Sequence, residues 1–235
     1  MNDTLINLEN VGVCYKQPGR SGVKNWALQG ISFELKRGET LGVIGRNGVG
    51  KTTLLKVLAH IIDPDVGTVD RKPCRSTLLS LRVGFLDHLN ARQNAIMAGM
   101  LLGLSRREIE SRVAEILDFA EIPSDENVPI GTYSTGMVAR LGFSVALQID
   151  PDILLIDEML AVGDAGFREK SSKAIRARMQ SDKTVVLVAH NDTVISELCD
   201  RVIWIENGEA QLVGETDKVV AQYREFIKRS TKTGQ

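Results

Sequence analysis

From Leu5 to Leu35 short β-favouring runs alternate with turn chemistry, and Gln17-Pro18-Gly19-Arg20-Ser21-Gly22 has the composition of a hairpin loop within a small antiparallel layer. Thr40-Leu41-Gly42-Val43-Ile44 is apolar along its length, the pattern of a buried strand, and a glycine-rich turn follows it. Leucines at helical spacing come next, between Thr52 and Ile62, so the order is strand, loop, helix. Between Ala91 and Glu121 the period is again helical. Ile109, Val113, Ile116, Leu117 and Ala120 fall on one face and Arg106, Arg107, Glu108, Glu110 and Glu115 elsewhere, which predicts a helical insertion.

β-Type runs return at Ile153 to Ile156 and Thr184 to Val188, separated by a mostly polar helical stretch from Phe167 to Met179, the pattern of a parallel βαβ unit. Arg201 to Val213 reads as a hairpin about Asn207-Gly208, the dipeptide preferred in type I′ turns. From Lys218 to Arg229 the residues Val219, Val220, Tyr223, Phe226 and Ile227 form one stripe, predicting a last helix docked on the core. The polar residues 230–235 read as a flexible tail. The expected fold is α/β, a parallel sheet with an N-terminal antiparallel β layer. Residues 1–229 would form one domain with a helical subdomain near 86–150.

Composition narrows the function classes. Hydrophobic residues are 43% and charged residues 25% of 235, and no apolar run approaches the roughly 18 residues of a membrane span. Lys and Arg total 29 against 30 Asp and Glu, a net charge of -1 that argues against a general nucleic-acid binder. Cys14, Cys74 and Cys199 are odd in number and scattered, suggesting reduced thiols in a cytosolic protein rather than a disulfide framework. The first residues lack the pattern of a secretory signal, so the expected location is the cytoplasmic side.

Three motifs carry chemistry. Gly45-Arg46-Asn47-Gly48-Val49-Gly50-Lys51-Thr52-Thr53 matches a phosphate-binding P-loop and lies between a buried strand and a helix, as the chemistry requires. Its glycines let backbone N–H groups face the phosphates, Lys51 neutralises β/γ charge, and the Thr52 hydroxyl can ligate Mg²⁺. Ile153-Leu154-Leu155-Ile156 ends in Asp157-Glu158, one carboxylate for Mg²⁺ and one to polarise the attacking water. Adjacent acids at a strand end also cap helices, a reading that the P-loop makes much the weaker. Ser134, in Tyr133-Ser134-Thr135-Gly136-Met137, is placed as the N-cap of the apolar run Val138 to Ile149, where a helix start could bind an anion.

A P-loop, a helical insertion, a Ser-x-Gly helix start, an Asp-Glu strand end and then His190 at the end of the next strand resemble, in that order, the ATPases of ABC transporters, over essentially the whole chain. The resemblance implies a P-loop NTPase core with a helical signature subdomain. It also implies ATP and Mg²⁺ as ligands, with Gly45, Asn47, Gly48, Gly50, Lys51, Thr52 and Thr53 in the cradle and Thr52 and Asp157 at the metal. Glu158 and His190 would be catalytic, His190 contacting the γ-phosphate. Ser134 and Gly136 would meet nucleotide held by the P-loop of a second copy, so the working unit is a homodimer. Asp164 matches the loop at the dimer seam. Tyr15 matches the aromatic that stacks on adenine, although an aromatic on an N-terminal strand also serves core packing.

One position departs from the family. The loop that normally supplies a glutamine near the metal here reads Leu78-Leu79-Ser80-Leu81-Arg82-Val83-Gly84-Phe85, with Ser80 aligned to it and Gln93 too far along, at an expected helix start. Tyr-Ser-Thr-Gly-Met and Asp-Glu-Met-Leu-Ala-Val-Gly-Asp-Ala-Gly-Phe resemble the subgroup that exports cell-surface polysaccharides of O-antigen or teichoic acid type. That resemblance implies a peripheral subunit on the cytoplasmic face of the membrane. It would power a polytopic permease that handles a lipid-linked glycan, with no nucleic acid involved. Some members add a C-terminal glycan-recognising β-sandwich; here substrate choice is expected to lie with the membrane partner or upstream enzymes. The rival readings are an ABC ATPase acting in repair, an ABC subunit for another substrate, a decayed scaffold and a P-loop kinase. The last explains neither the Ser134 helix start nor His190.

Overall fold

The computed structural model describes residues 3–16, 24–79, 84–123, 128–157, 163–179, 183–189 and 191–233. Its chain divides into two compact units, Met1–Leu78, Asp152–Glu158 and Met179–Gln235 in the first and Leu79–Pro151 and Met159–Arg178 in the second.

In the first unit, β1 (Thr4–Lys16) pairs antiparallel with β2 (Lys24–Lys36), as the alternating pattern predicts; the expected hairpin loop 17–22 lies outside the described residues. A third strand, β4 (Val66–Arg71), joins this layer on the other side of β1. The sequence pattern does not announce β4, because an edge strand this exposed has no run of apolar residues. The second sheet has the order β5-β6-β7-β3-β8-β9, from β3 (Thr40–Ile44), β5 (Ser76–Leu78), β6 (Ile153–Ile156), β7 (Thr184–Val188), β8 (Arg201–Glu206) and β9 (Glu209–Glu215). Its strands are parallel except for β9, so the expected parallel sheet is mixed, with the hairpin strand as an antiparallel edge. Every residue of β3, β6 and β7 is buried, which is why these runs are continuously apolar. Asn207 and Gly208 take positive φ of 52° and 81°, the type I′ geometry expected of the dipeptide.

Helix α1 (Lys51–Leu58) stops short of the predicted Ile62 because His60 turns into the left-handed region, and Arg71 of β4 donates to the end carbonyls of Val57 and Leu58. Helix α6 (Asp192–Leu198) leads into β8. The last helix, α7 (Thr216–Thr233), buries Val219 and Val220 and sets Tyr223 and Phe226 against Trp204. It runs past Arg229, and the Ser230 hydroxyl donates to the Phe226 carbonyl at 3.0 Å, so residues 230–233 continue the helix where a tail was expected. No Gly or Pro occurs from Thr216 to Thr233.

In the second unit the predicted insertion resolves into α2 (Ala91–Leu101) and α3 (Arg106–Phe119), each opened by a capping box, Asn90 with Gln93 and Ser105 with Glu108. Gln93 is therefore at a helix start, as expected, and its side chain accepts from the Asn90 N–H at 3.1 Å. Ser80 lies outside the described residues. After a 3-10 turn at Ile130–Thr132 comes α4 (Thr135–Ala146), and α5 (Ala165–Met179) completes the set. The stretch read as the crossover between β6 and β7 packs in this helical unit because Phe167 sits edge-on to Phe119 and Phe143, both centroids at 5.8 Å.

Cys199 lies under β3, where the nearest approach to an added Cβ on Gly42 would be its Sγ at 3.0 Å. Burial, then the charge of Asp200, pushes its thiol from 9.0 up to about 12. The stability tied to the protonated thiol is complete below 9.0 and is lost as pH rises through about 12. Near pH 9.0, mass-spectrometric mapping with iodoacetamide should therefore find Cys199 labelled in the folded protein at least about a hundredfold more slowly than in denaturant.

Candidate functional site

The loop after β3 rests directly on neighbouring backbone. Gly45, at φ 148°, lies so close to β8 that an added Cβ would stand 2.2 Å from the Ile205 carbonyl oxygen, and at Gly50, φ 107°, it would stand 2.3 Å from that of Ala27. Both glycines are thus required by close approach as well as by φ. Gly50 is the N-cap of α1 and makes no side-chain cap, and no acidic residue lies in the first turn, so the helix start presents uncapped N–H groups.

Lys51 is buried at 7% exposure, and its ammonium donates to the carbonyls of Gly45 and Arg46, both at 2.8 Å. Burial pulls its pKa below the ordinary lysine value, while Asp157 and Glu206 push the other way. The Thr52 hydroxyl donates to Asp157 Oδ2 at 3.1 Å although Asp157 follows β6, two strands from β3, with β7 between. Parallel strands end on one edge of the sheet, and that brings the two together. A hydroxyl and a carboxylate are hard oxygen donors of the kind Mg²⁺ prefers. Tyr15 is 44% exposed, with its hydroxyl 3.5 Å from that of Thr53, so it is a surface aromatic beside the loop rather than a core residue. Asn47 and Gly48 line a pocket of about 460 Å³ with Asn25, Trp26 and Glu206. Glu158 and His190 lie outside the described residues.

The second unit holds the other predicted residues. Ser134 is the N-cap of α4 and accepts from the Met137 N–H at 3.2 Å, as the motif predicts. At the far end of α4, Arg178 donates to the carbonyl of the C-cap Leu147, and just past it Arg178 and Arg112 donate to those of Ile149 and Gln148. At Gly136 a Cβ would meet nothing nearer than Ser134 Oγ at 3.8 Å, so the fold of this unit does not require a glycine there. Asp164 accepts from the Phe167 N–H at 3.0 Å at the start of α5 and faces the Arg140 guanidinium at 3.5 Å.

Two arginines escaped the sequence reading. Arg140 is a lone charge on an apolar helix, held by Asp164, by Glu121 at 3.9 Å and over the Phe167 ring, and that isolation was its sequence signal. Arg46 stands at a position that the P-loop pattern leaves unspecified, and nothing local points to its partner Glu206.

A family model described as ABC transporter matches residues 28–161. The chain belongs to the ABC transporter family. Among its ABC relatives is an O-antigen export system ATP-binding protein of Klebsiella pneumoniae, 41% identical over 88% of this chain and 84% of that protein. A namesake from Myxococcus xanthus is also 41% identical, over 90% of this chain but 48% of its own length, and a teichoic acids export ATP-binding protein of Lactococcus lactis is 39% identical over 86% and 43%. A dimeric ATP-binding cassette solved with ADP and Pi shares the fold, with a TM-score of 0.72 at 24% identity over 90% of this chain and 99% of its own. This ABC chain is accordingly an ATPase subunit coupled to transport.

Gly45→Ala must displace either the loop or β8. Urea denaturation should show a loss of about 2 kcal/mol or more, and a variant as stable as the parent would contradict the close approach.

Proposed function

We propose that the chain is the ATP-hydrolysing subunit of an exporter of lipid-linked cell-surface polysaccharide, of O-antigen or teichoic acid type, acting through a separate membrane subunit. The observation that carries the reading is the uncapped, acid-free start of α1 with Lys51 folded against it, a cradle suited to polyphosphate. The substrate class rests on the relatives named for O-antigen and teichoic acid export.

In this reading Gly45, Asn47, Gly48, Gly50 and Thr53 line the phosphates, Lys51 takes β/γ charge and Tyr15 stacks on adenine. Thr52 and Asp157 would hold Mg²⁺, which supplies charge neutralisation at the phosphates. Water attacks the γ-phosphorus as the bond to the ADP oxygen breaks; Glu158 orients the water and accepts its proton, and His190 holds the γ-phosphate. Two copies assemble with the cradle of one facing Ser134 and Gly136 of the other, and Asp164 lies at the seam. The glycine that its own unit does not require leaves room there for a phosphate at a helix start. The pair works at the cytoplasmic face of the membrane, and no helix among the described residues is long and apolar enough to cross one.

The membrane partner seats on α2. Met100 and Leu101 are exposed at 47% and 61%, and with Ile96, Met97, Gln93 and Arg106 they line a pocket of about 560 Å³, an apolar surface that a partner's helix would cover.

Glu158→Gln should bind ATP, accumulate as a closed dimer on gel filtration and lose most hydrolysis; turnover at the parent rate would remove Glu158 from its role. Met100→Glu should leave the ATPase of the isolated subunit intact and reduce co-purification with the membrane partner. Affinity capture from native membranes tests the whole: a polytopic protein carrying a lipid-linked glycan supports export, and a soluble nucleic-acid complex without a membrane protein sinks it.

A further inference from the structure

Nothing in phosphate binding calls for an arginine at position 46, yet its side chain is the most heavily engaged on the loop. Its Nε donates to Glu206 Oε1 at 2.7 Å and its Nη2 donates to the same oxygen. Glu206 ends β8, is 3% exposed and has no partner for Oε2 among the described residues, so Arg46 is what compensates a buried carboxylate. The other side of the guanidinium lies 5.5 Å from the centroid of Phe226 on α7, and Phe226 packs on Trp204 of β8 at 5.0 Å. The backbone of the same residue accepts from Lys51 Nζ at 2.8 Å. One residue therefore ties the ammonium of the cradle to the end of β8 and to the last helix.

We propose that Arg46 is a positioning residue: anchored by Glu206 and Phe226, it fixes the first turn of the P-loop and with it the Lys51 ammonium, so that α7 is part of the support that sets nucleotide affinity. The proposal rests on the assignment of residues 45–53 as the nucleotide cradle. While the guanidinium is committed to Glu206 it is held by that carboxylate and not by a phosphate. Its effect on nucleotide is therefore transmitted through the loop backbone.

The test uses the whole chain and compares Arg46→Ala, Glu206→Gln, Phe226→Leu and the Arg46→Ala/Phe226→Leu double variant for Mg-ATP Kd, KM and kcat, with Lys51→Ala as the control. Phe226→Leu keeps an apolar side chain against Trp204 while removing the ring that faces the Arg46 guanidinium. Arg46→Ala and Glu206→Gln should each raise Kd and KM about three- to tenfold with a smaller change in kcat. Phe226→Leu should raise them about twofold, and the double variant should be no worse than Arg46→Ala alone. If Arg46→Ala weakens binding while Glu206→Gln and Phe226→Leu match the parent, Arg46 acts on nucleotide directly and the proposal is overturned. It is equally overturned if all three match a parent that binds. A parent that binds no better than Lys51→Ala would instead sink the cradle assignment itself.

Discussion

The P-loop is seated backbone on backbone, with no side chain between Gly45 and Ile205 or between Gly50 and Ala27. That contact does more than permit a tight turn. Because β8 and β2 are held in separate sheets of the first unit, a loop resting on both is fixed at two points before any ligand arrives. The direction of α1 follows, since Gly50 is its N-cap, and the Lys51 ammonium closes back on the carbonyls that those glycines set. Preorganised donors of this kind need no rearrangement when charge appears opposite them.

The same electrical arrangement occurs on α4 in the other unit. Each helix starts without an acidic residue in its first turn and has an arginine on carbonyls at its end, Arg71 for α1 and Arg178 on the C-cap Leu147 for α4. Acids at a helix start stabilise an isolated helix by a few tenths of a kcal/mol to about 1 kcal/mol. Leaving them out of both starts, while neutralising both ends, keeps the positive end of each dipole available to an anion. Ser134 takes one N–H of α4, and the helix tolerates a glycine at position 136 that its own packing does not explain.

Legibility in the sequence followed the range of the interaction. The buried strands β3, β6 and β7 and the Asn207-Gly208 turn were readable because apolar runs and φ > 0 residues are local signals. The P-loop and the Ser134 cap were readable for the same reason. β4 was not, having too little buried side to leave a pattern; α5 does connect the parallel β6 and β7 as read, but its packing against Phe119 and Phe143 was not legible because it is set by tertiary contacts of scattered aromatics. Arg46 and Glu206 are 160 residues apart, and no spacing rule reaches that far. The capping boxes at Asn90 and Ser105 could have been found, since each has its Gln or Glu three residues on.

The charges around the cradle decide what form of nucleotide it suits. Among the described residues Lys51 and Arg46 are positive and Asp157 and Glu206 negative, and both carboxylates raise the proton affinity of Lys51 against the pull of burial. Arg46 is already matched by Glu206, and Asp157 accepts a hydrogen bond from the Thr52 hydroxyl. The four side chains thus sum to no net charge, so they cannot by themselves balance a triphosphate. The helix start contributes about half an elementary charge. The remaining imbalance is what a divalent ion on the Thr52 and Asp157 oxygens would correct, and this is why the proposed ligand is the magnesium complex of ATP and not the free nucleotide.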